Sequence, residues 1–210
     1  LPIDTFHVQG RGGKGVVGLT TKEEDSVEQF FNTTTHADLM FFTTRGRVFQ
    51  LKAYEVPAAS RTARGQAIVN FLELTPGEKV SSILSVKDLT VEHKFFVMVT
   101  RRGTIKKVER DEFASVRRSG LIAMKLQEDD VLEWVFATTG NDDLFLVSHN
   151  GQAIRYAESL VRAMGRNASG VRGMKLRGSD VLVSMAVISP VVHKPSGQIL
   201  LVTSLGSGKR

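Results

Sequence analysis

Seven residues near the start of the chain, Gln9-Gly10-Arg11-Gly12-Gly13-Lys14-Gly15, combine four glycines and two fixed positive charges with no apolar side chain. Glycine admits positive φ and lets another backbone come close. Successive exposed N–H groups can form an anion-binding nest, to which Arg11 and Lys14 add charge. These types at this spacing suit a phosphate-binding loop, and they also suit a basic surface turn. Gly10, Gly12 and Gly15 match the G-x-G-x-x-G spacing of a dinucleotide-binding loop, but that motif needs a helix opening at its end. The next residues, Val16-Val17-Gly18-Leu19-Thr20-Thr21, are β-branched and broken by glycine, which makes a poor helix start. A Walker A loop fails as well, because Val16 stands where the phosphate lysine should be followed by Ser or Thr.

Catalytic constellations find little support. His7, His36, His93, His149 and His193 are scattered without metal-ligand spacing. Asp129-Asp130 and Asp142-Asp143 could serve acid–base chemistry or Mg²⁺, but both fall between strand patterns and read as solvated turns. Tyr156 could attack a phosphodiester, yet its counterparts in an internal repeat of the chain are Leu1, Leu51 and Val108, which marks it as a core anchor. Trp134 reads as core.

That repeat supplies the elements that must position the basic loop. Leu39 to Phe42, Thr43-Thr44-Arg45-Gly46, and Arg47 to Leu51 read as strand, turn and strand. The pattern returns at Phe95 to Lys107, at Leu144 to Arg155 and at Ile199 to Arg210. Each is an apolar run, a polar turn ending in glycine and a second run, the signal of a hairpin. A second landmark recurs at Gly15, Gly65, Gly120 and Gly170, spaced by 50, 55 and 50 residues, and Met124-Lys125-Leu126 superimposes on Met174-Lys175-Leu176. Apolar pairs five apart separate the two landmarks: Leu1/Phe6, Leu51/Val56, Val108/Phe113 and Tyr156/Val161. The units are 1–50, 51–107, 108–155 and 156–210, in one domain. Both ends cut through a repeat, which predicts a piece of a longer chain. Units of about 50 residues with four short strands each predict an all-β, propeller-like fold of four-stranded blades, about four in number. Thr21 to Phe31 is the exception, with Thr21 and Glu24 spaced to cap a short helix.

Composition agrees with this. The chain has 210 residues, no cysteine, no apolar run of transmembrane length and a net charge of +6. It reads as soluble, without disulfide or thiol chemistry, and its charge points to a polyanionic partner. The repeat distributes that charge. Arg11, Arg61, Arg117-Arg118 and Arg166 precede the landmark glycines, with Lys14 and Arg64 closer in. Lys106-Lys107, Arg155 and Lys209-Arg210 follow the hairpin glycines. A cation recurring at one place in every blade makes a stripe along a curved edge. With no recognition-helix pattern and no aromatic ladder, the expected ligand is duplex backbone, bound through phosphates and bendability.

Taken as a set, Gln9 to Gly15, Lys22-Glu23-Glu24-Asp25, Arg45-Gly46-Arg47-Val48, Tyr54-Glu55-Val56-Pro57, Ser60 to Gly65, Val161 to Arg166 and Gly170-Val171-Arg172-Gly173 resemble the C-terminal domain of the DNA gyrase A protein over essentially the whole chain. The family's glycine-rich box usually has a basic residue second, where Gly10 stands here. The resemblance implies a β-pinwheel whose blades exchange strands and whose basic rim wraps duplex DNA with positive handedness, for ATP-driven introduction of negative supercoils. It implies a non-catalytic piece of a bacterial type II topoisomerase. The partners would be DNA, the rest of the gyrase A protein and the gyrase B protein, in a heterotetramer in the cytoplasm. No membrane would be involved, and the isolated domain would be a monomer. No cofactor is expected in this domain, ATP and Mg²⁺ being used elsewhere in the enzyme. The DNA-contacting residues are then Gln9, Gly10, Arg11, Gly12, Gly13, Lys14, Gly15, Arg45, Arg47, Arg61, Arg64, Lys106, Lys107, Arg117, Arg118, Arg155, Arg166, Arg172, Lys209 and Arg210. The related C-terminal domain of topoisomerase IV, whose box is typically degraded, and a protein-binding propeller are the alternative readings.

Overall fold

Residues 6–15, 18, 32–60, 63, 65–189 and 198–209 are described in the computed structural model. The helix expected at Thr21 to Phe31 and the anchor Leu1 lie outside them.

Four hairpins form where the repeat places them: β1 (Asp38–Thr43) with β2 (Arg47–Lys52), β4 (Phe95–Thr100) with β5 (Thr104–Glu109), β8 (Asp143–Ser148) with β9 (Ala153–Ala157), and β12 (Leu201–Val202) with β13 (Gly208–Lys209). The cause is local and the same each time. A Thr or Ser ends the first strand, and its carbonyl accepts the N–H of the turn glycine three residues on: Gly46 to Thr43 at 2.9 Å, Gly103 to Thr100 at 3.0 Å, Gly151 to Ser148 at 3.0 Å, Gly206 to Thr203 at 2.9 Å. Its hydroxyl accepts the next N–H, as in Thr104 to Thr100 at 3.1 Å and Gln152 to Ser148 at 3.2 Å. The turn glycines sit at φ +72° to +84°, where a Cβ is disfavoured.

A third strand joins each of the first three hairpins: β3 (Val80–Ser85), β7 (Leu132–Thr138) and β11 (Leu182–Ile188). Two short strands, β6 (Leu121–Ile122) and β10 (Val171–Arg172), complete the first two sheets. The orders are β3-β1-β2-β6, β10-β5-β4-β7, β11-β8-β9 and β12-β13, with every strand pair antiparallel. The chain thus builds one sheet, starts the next, and returns to hand the earlier sheet its fourth strand. The landmark glycines open these exchanged strands. Gly120 has φ +80° and Gly170 φ +89°. A Cβ on Gly170 would lie 2.6 Å from the Ile105 carbonyl, too close for any side chain.

Strands apolar throughout are covered on both faces. On β1, Met40 and Phe42 point toward the second sheet, while Leu39 and Phe41 pack in a separate cluster with Phe49, Leu51 and Leu72. On β4, Phe96 and Met98 face the first sheet, and Val97 and Val99 face Leu144, Leu146 and Met185 of the third. Phe42, Phe96 and Phe113 meet edge to face with centroids 5.5–6.3 Å apart. Of the apolar pairs, Leu51, Val108, Phe113 and Val161 are buried, as is Leu144 of β8, whereas Phe6 and Val56 are exposed; Tyr156 is half-buried, its phenol pushed up to about 12 by burial. Replacing Leu144 by Ala is expected to cost about 2–5 kcal/mol in a denaturant titration, because Leu144 is fully enclosed between two sheets.

The sheets approach most closely along one edge. β3 contacts β7, and β7 contacts β11. The exchanged strands β6 and β10 occupy the opposite edges of their sheets and so face outward. β9, the outer edge of the third sheet, has no fourth strand among the described residues and is largely exposed.

Candidate nucleic-acid interface

The glycine-rich loop is an exposed turn from Gln9 to Gly15. It is closed by the Gly13 N–H donating to the Gly10 carbonyl at 3.1 Å. Gly12 and Gly15 take φ +90° and +68°, and a Cβ on Gly13 would fall 2.6 Å from the Gln9 side-chain oxygen. The turn therefore needs glycine at positions 12 and 15 for conformation, whereas a Cβ at Gly10 meets open space and the Gln9 side chain can swing away from one at Gly13. Arg11 and Lys14 are exposed on it, and neither forms an ion pair among the described residues.

The other expected contacts divide. Arg45, Arg117, Arg118, Arg172 and Lys209 are exposed. Arg155 is exposed but ion-paired with Asp143 at 2.5 Å. Arg166 is half-buried, its guanidinium 3.5 Å from the Glu112 carboxylate. Arg61, Arg64 and Arg210 lie outside the described residues.

Three expectations need correction. Arg47 is bound into the fold: it pairs with Glu78 at 2.6 Å, donates to the Glu73 carbonyl at 2.8 Å and stacks over Phe49 at 4.7 Å. Burial alone would raise the Glu78 carboxyl, but hydrogen bonds from Arg47, Thr43 and Thr75 outweigh it and hold it at about 2. Lys106 is fully buried and donates to the carbonyls of Ala123, at 2.8 Å, and Arg166. Lys107 is buried against Glu158, Nζ to Oε1 3.7 Å, with its ammonium 4.9 Å from the Phe95 ring centroid. Neither lysine reaches solvent to meet a phosphate. Both lie on a strand covered on both faces, so in-register recurrence with Arg155 does not bring them to the surface. Asp130 and Asp142 are also buried instead of solvated. Asp130 accepts the N–H groups of Arg102 and Val131, and Asp142 accepts the N–H and hydroxyl of Thr139.

Burial pushes the Lys106 amine down to about 8, with nearby Arg166 adding to the effect and Glu112 opposing it. The unfolded value is the ordinary 10.5, so below pH 8 both states are charged and the full cost of burying the charge is present. Between pH 8 and 10.5 the folded state sheds its proton first, and stability rises. The neutral amine keeps two N–H groups for its two carbonyls. Wild type is therefore expected to gain melting temperature relative to Lys106→Met on going from pH 7.5 to 9.5. A constant difference would show that the amine is already neutral at pH 7.5 or never loses its proton.

Three cations absent from the sequence-based set emerge at the sheet edges. Arg102 is exposed at the second hairpin tip, in the place Arg45 holds at the first. Lys125 and Lys175 are exposed just after the exchanged strands. The repeated Met-Lys-Leu motif was the available signal. Among the described residues no cluster of three or more His, Asp or Glu could hold a metal, and no helix is long and apolar enough to cross a membrane.

The family described as DNA gyrase C-terminal domain, beta-propeller, matches residues 1–34, 37–87, 94–139 and 142–189. The DNA gyrase A protein of Staphylococcus aureus (strain NCTC 8325 / PS 47) is 42% identical over 211 residues, covering 100% of this chain and 23% of that protein. Its counterpart of the same name in Staphylococcus epidermidis is 40% identical over 210 residues, with the same coverage. Among solved structures, a DNA gyrase A C-terminal domain matches 99% of this chain and 65% of its own at 25% identity and TM-score 0.72. A C-terminal domain of DNA topoisomerase IV matches 82% and 53% at 31% identity and TM-score 0.70. The chain thus spans about a quarter of the length of the full-length relatives it matches.

Proposed function

Because the chain belongs to the family of DNA gyrase C-terminal β-propeller domains, we propose that it binds duplex DNA along the outward edges of its sheets and bends it into a positive wrap. The parent enzyme would use that wrap to introduce negative supercoils. The observation that carries this reading is recurrence: exposed cations stand at equivalent places in successive sheets, Arg45 and Arg102 on the tips, Lys125 and Lys175 after the exchanged strands. A track of this kind meets phosphates, which position DNA without reading its sequence. Specificity then comes from how readily the duplex bends.

On this reading the domain is non-catalytic. The nucleophilic tyrosine, the ATPase and the Mg²⁺ site belong to other parts of a heterotetramer of gyrase A and gyrase B proteins in the cytoplasm, and the domain itself takes no cofactor. The box at Gln9 to Gly15 favours gyrase over topoisomerase IV, whose box is typically degraded.

A salt titration on random-sequence duplex tests the reading. With about six phosphate contacts, log K is expected to fall against log salt with a slope of about −5. A flat slope would remove the DNA track and favour a protein-binding propeller.

A further inference from the structure

Between the tip of hairpin β4–β5 and the segment entering and leaving β10 lies an open cleft of about 830 Å³. Arg102, Arg172 and Lys175 line it, and all three are exposed. None is in an ion pair among the described residues. Arg102 makes one long side-chain hydrogen bond, to the Glu128 carbonyl at 3.4 Å. The register explains the convergence. Arg172 lies opposite Thr104 across the β10–β5 ladder, and the N–H groups of Gly173 and Met174 both donate to the Gly103 carbonyl, at 2.8 and 3.2 Å. Lys175 therefore leaves the exchanged strand right beside the tip that carries Arg102. One carboxylate, Asp180, lines the wall and accepts the N–H groups of Asn150 and Val181, at 3.1 and 3.0 Å.

We propose that this cleft seats a phosphate of duplex DNA, with Arg102, Arg172 and Lys175 as its ligands. The proposal rests on the DNA-binding reading above and deepens it. The seat is composite: Arg102 comes from the sheet's own hairpin, whereas Arg172 and Lys175 arrive on a strand handed back from later in the chain. A phosphate held by both pins the exchanged strand to the sheet it completes. Two arginines suit the site because the guanidinium fork matches phosphate geometry, while lysine adds a mobile charge.

The first sheet repeats the cleft in weaker form. Its copy, about 720 Å³, is lined by Arg45, Arg47 and Lys125 together with Asp129 and Asp130. Arg47 is spent on Glu78, and Ile122 occupies the place of Arg172. Two available cations then face two carboxylates, against three facing one in the second sheet. The seats are graded, the second stronger than the first.

The test measures the salt dependence of duplex binding by the full-length protein. The triple variant Arg102→Ala/Arg172→Ala/Lys175→Ala is expected to make the log K against log salt slope shallower by about 2–3, at about 0.9 per lost contact. Lys125→Ala should change it by about 1 or less. Lys87→Ala serves as control, a cation following β3 at the end of the first sheet away from the tips; it should leave the slope unchanged. If the triple variant melts early, Lys175→Ala alone decides, since its exposed side chain makes no hydrogen bond among the described residues and should still remove about one contact. A steep wild-type slope that neither variant alters overturns the phosphate seat while the DNA-binding reading stands. A flat wild-type slope overturns both.

Discussion

Replacing Arg11 and Lys14 together by Ala in the intact protein is expected, on the wrapping proposed above, to cut the ATP-driven introduction of negative supercoils sharply, while DNA binding and ATP-independent relaxation stay near wild type. The separation follows from how the two activities use the contacts. In the proposed track, binding is shared among many phosphates along the sheet edges, so losing two weakens it only in part. Wrapping must also offset the bending of the duplex, of order 1–6 kcal/mol for 20–30 base pairs turned through 40–90°. If the two side chains offset as little as about 1.4 kcal/mol of that, the wrapped population falls about tenfold without them. The loop geometry makes the variant clean, because Arg11 and Lys14 are exposed and the turn is held by backbone and glycine, not by these side chains. A topology assay with ATP, run beside a relaxation assay without it, reads the difference. Normal supercoiling by the double variant would take the loop out of the wrap. Loss of both activities with a lowered melting temperature would make Gly10 to Gly15 a structural turn.

What the sequence revealed and what it hid divide along a physical line. The hairpins were legible because their cause is local: a Thr or Ser, a glycine at positive φ, and apolar runs on either side. The position of each exchanged strand was legible too, since Gly120 and Gly170 repeat in register. Which strand it pairs with was not legible from the residues themselves, because Leu121 meets Val48 and Val171 meets Ile105 through contacts remote in sequence; the resemblance to a strand-exchanging family supplied that expectation. The charge track suffered from the same gap. Lys107 and Arg155 occupy equivalent places after a hairpin, with Lys106 one residue before, yet β5 is flanked by β4 and β10, bridged to Ala163 and packed on both faces, while β9 has an open edge among the described residues. Burial is set by neighbours, and a repeat register cannot report neighbours that differ between copies. Lys125 and Lys175 were visible as part of a recurring motif but carried no sign of outward exposure until the exchanged strands were placed at the edge.

Replacing Glu158 by Ala is expected to destabilise the fold by about 3–5 kcal/mol, the usual cost of leaving one member of a buried ion pair without its partner. Glu158 is fully buried at the start of the short turn after β9. One carboxylate oxygen accepts the Thr138 hydroxyl at 2.8 Å and faces the Lys107 ammonium at 3.7 Å; the other accepts the Gly140 N–H at 3.1 Å. These partners end β7 and lie within β5, so a single carboxylate from the third sheet organises the edge of the second. Alanine would leave the Thr138 hydroxyl and the Gly140 N–H without their acceptor in a buried space, and would leave the Lys107 ammonium with the Glu158 backbone carbonyl, 3.2 Å away, but no counter-charge. In a chain of 210 residues the loss corresponds to a fall in melting temperature of about 6–20 °C. The cause is separable from simple loss of packing. Adding Lys107→Met removes the stranded charge, so the double variant should recover part of the loss, and the two substitutions should be far from additive. A Glu158→Ala melting curve within about 2 °C of wild type, or strict additivity in the double variant, would mean that water or a shifted Lys107 satisfies the site.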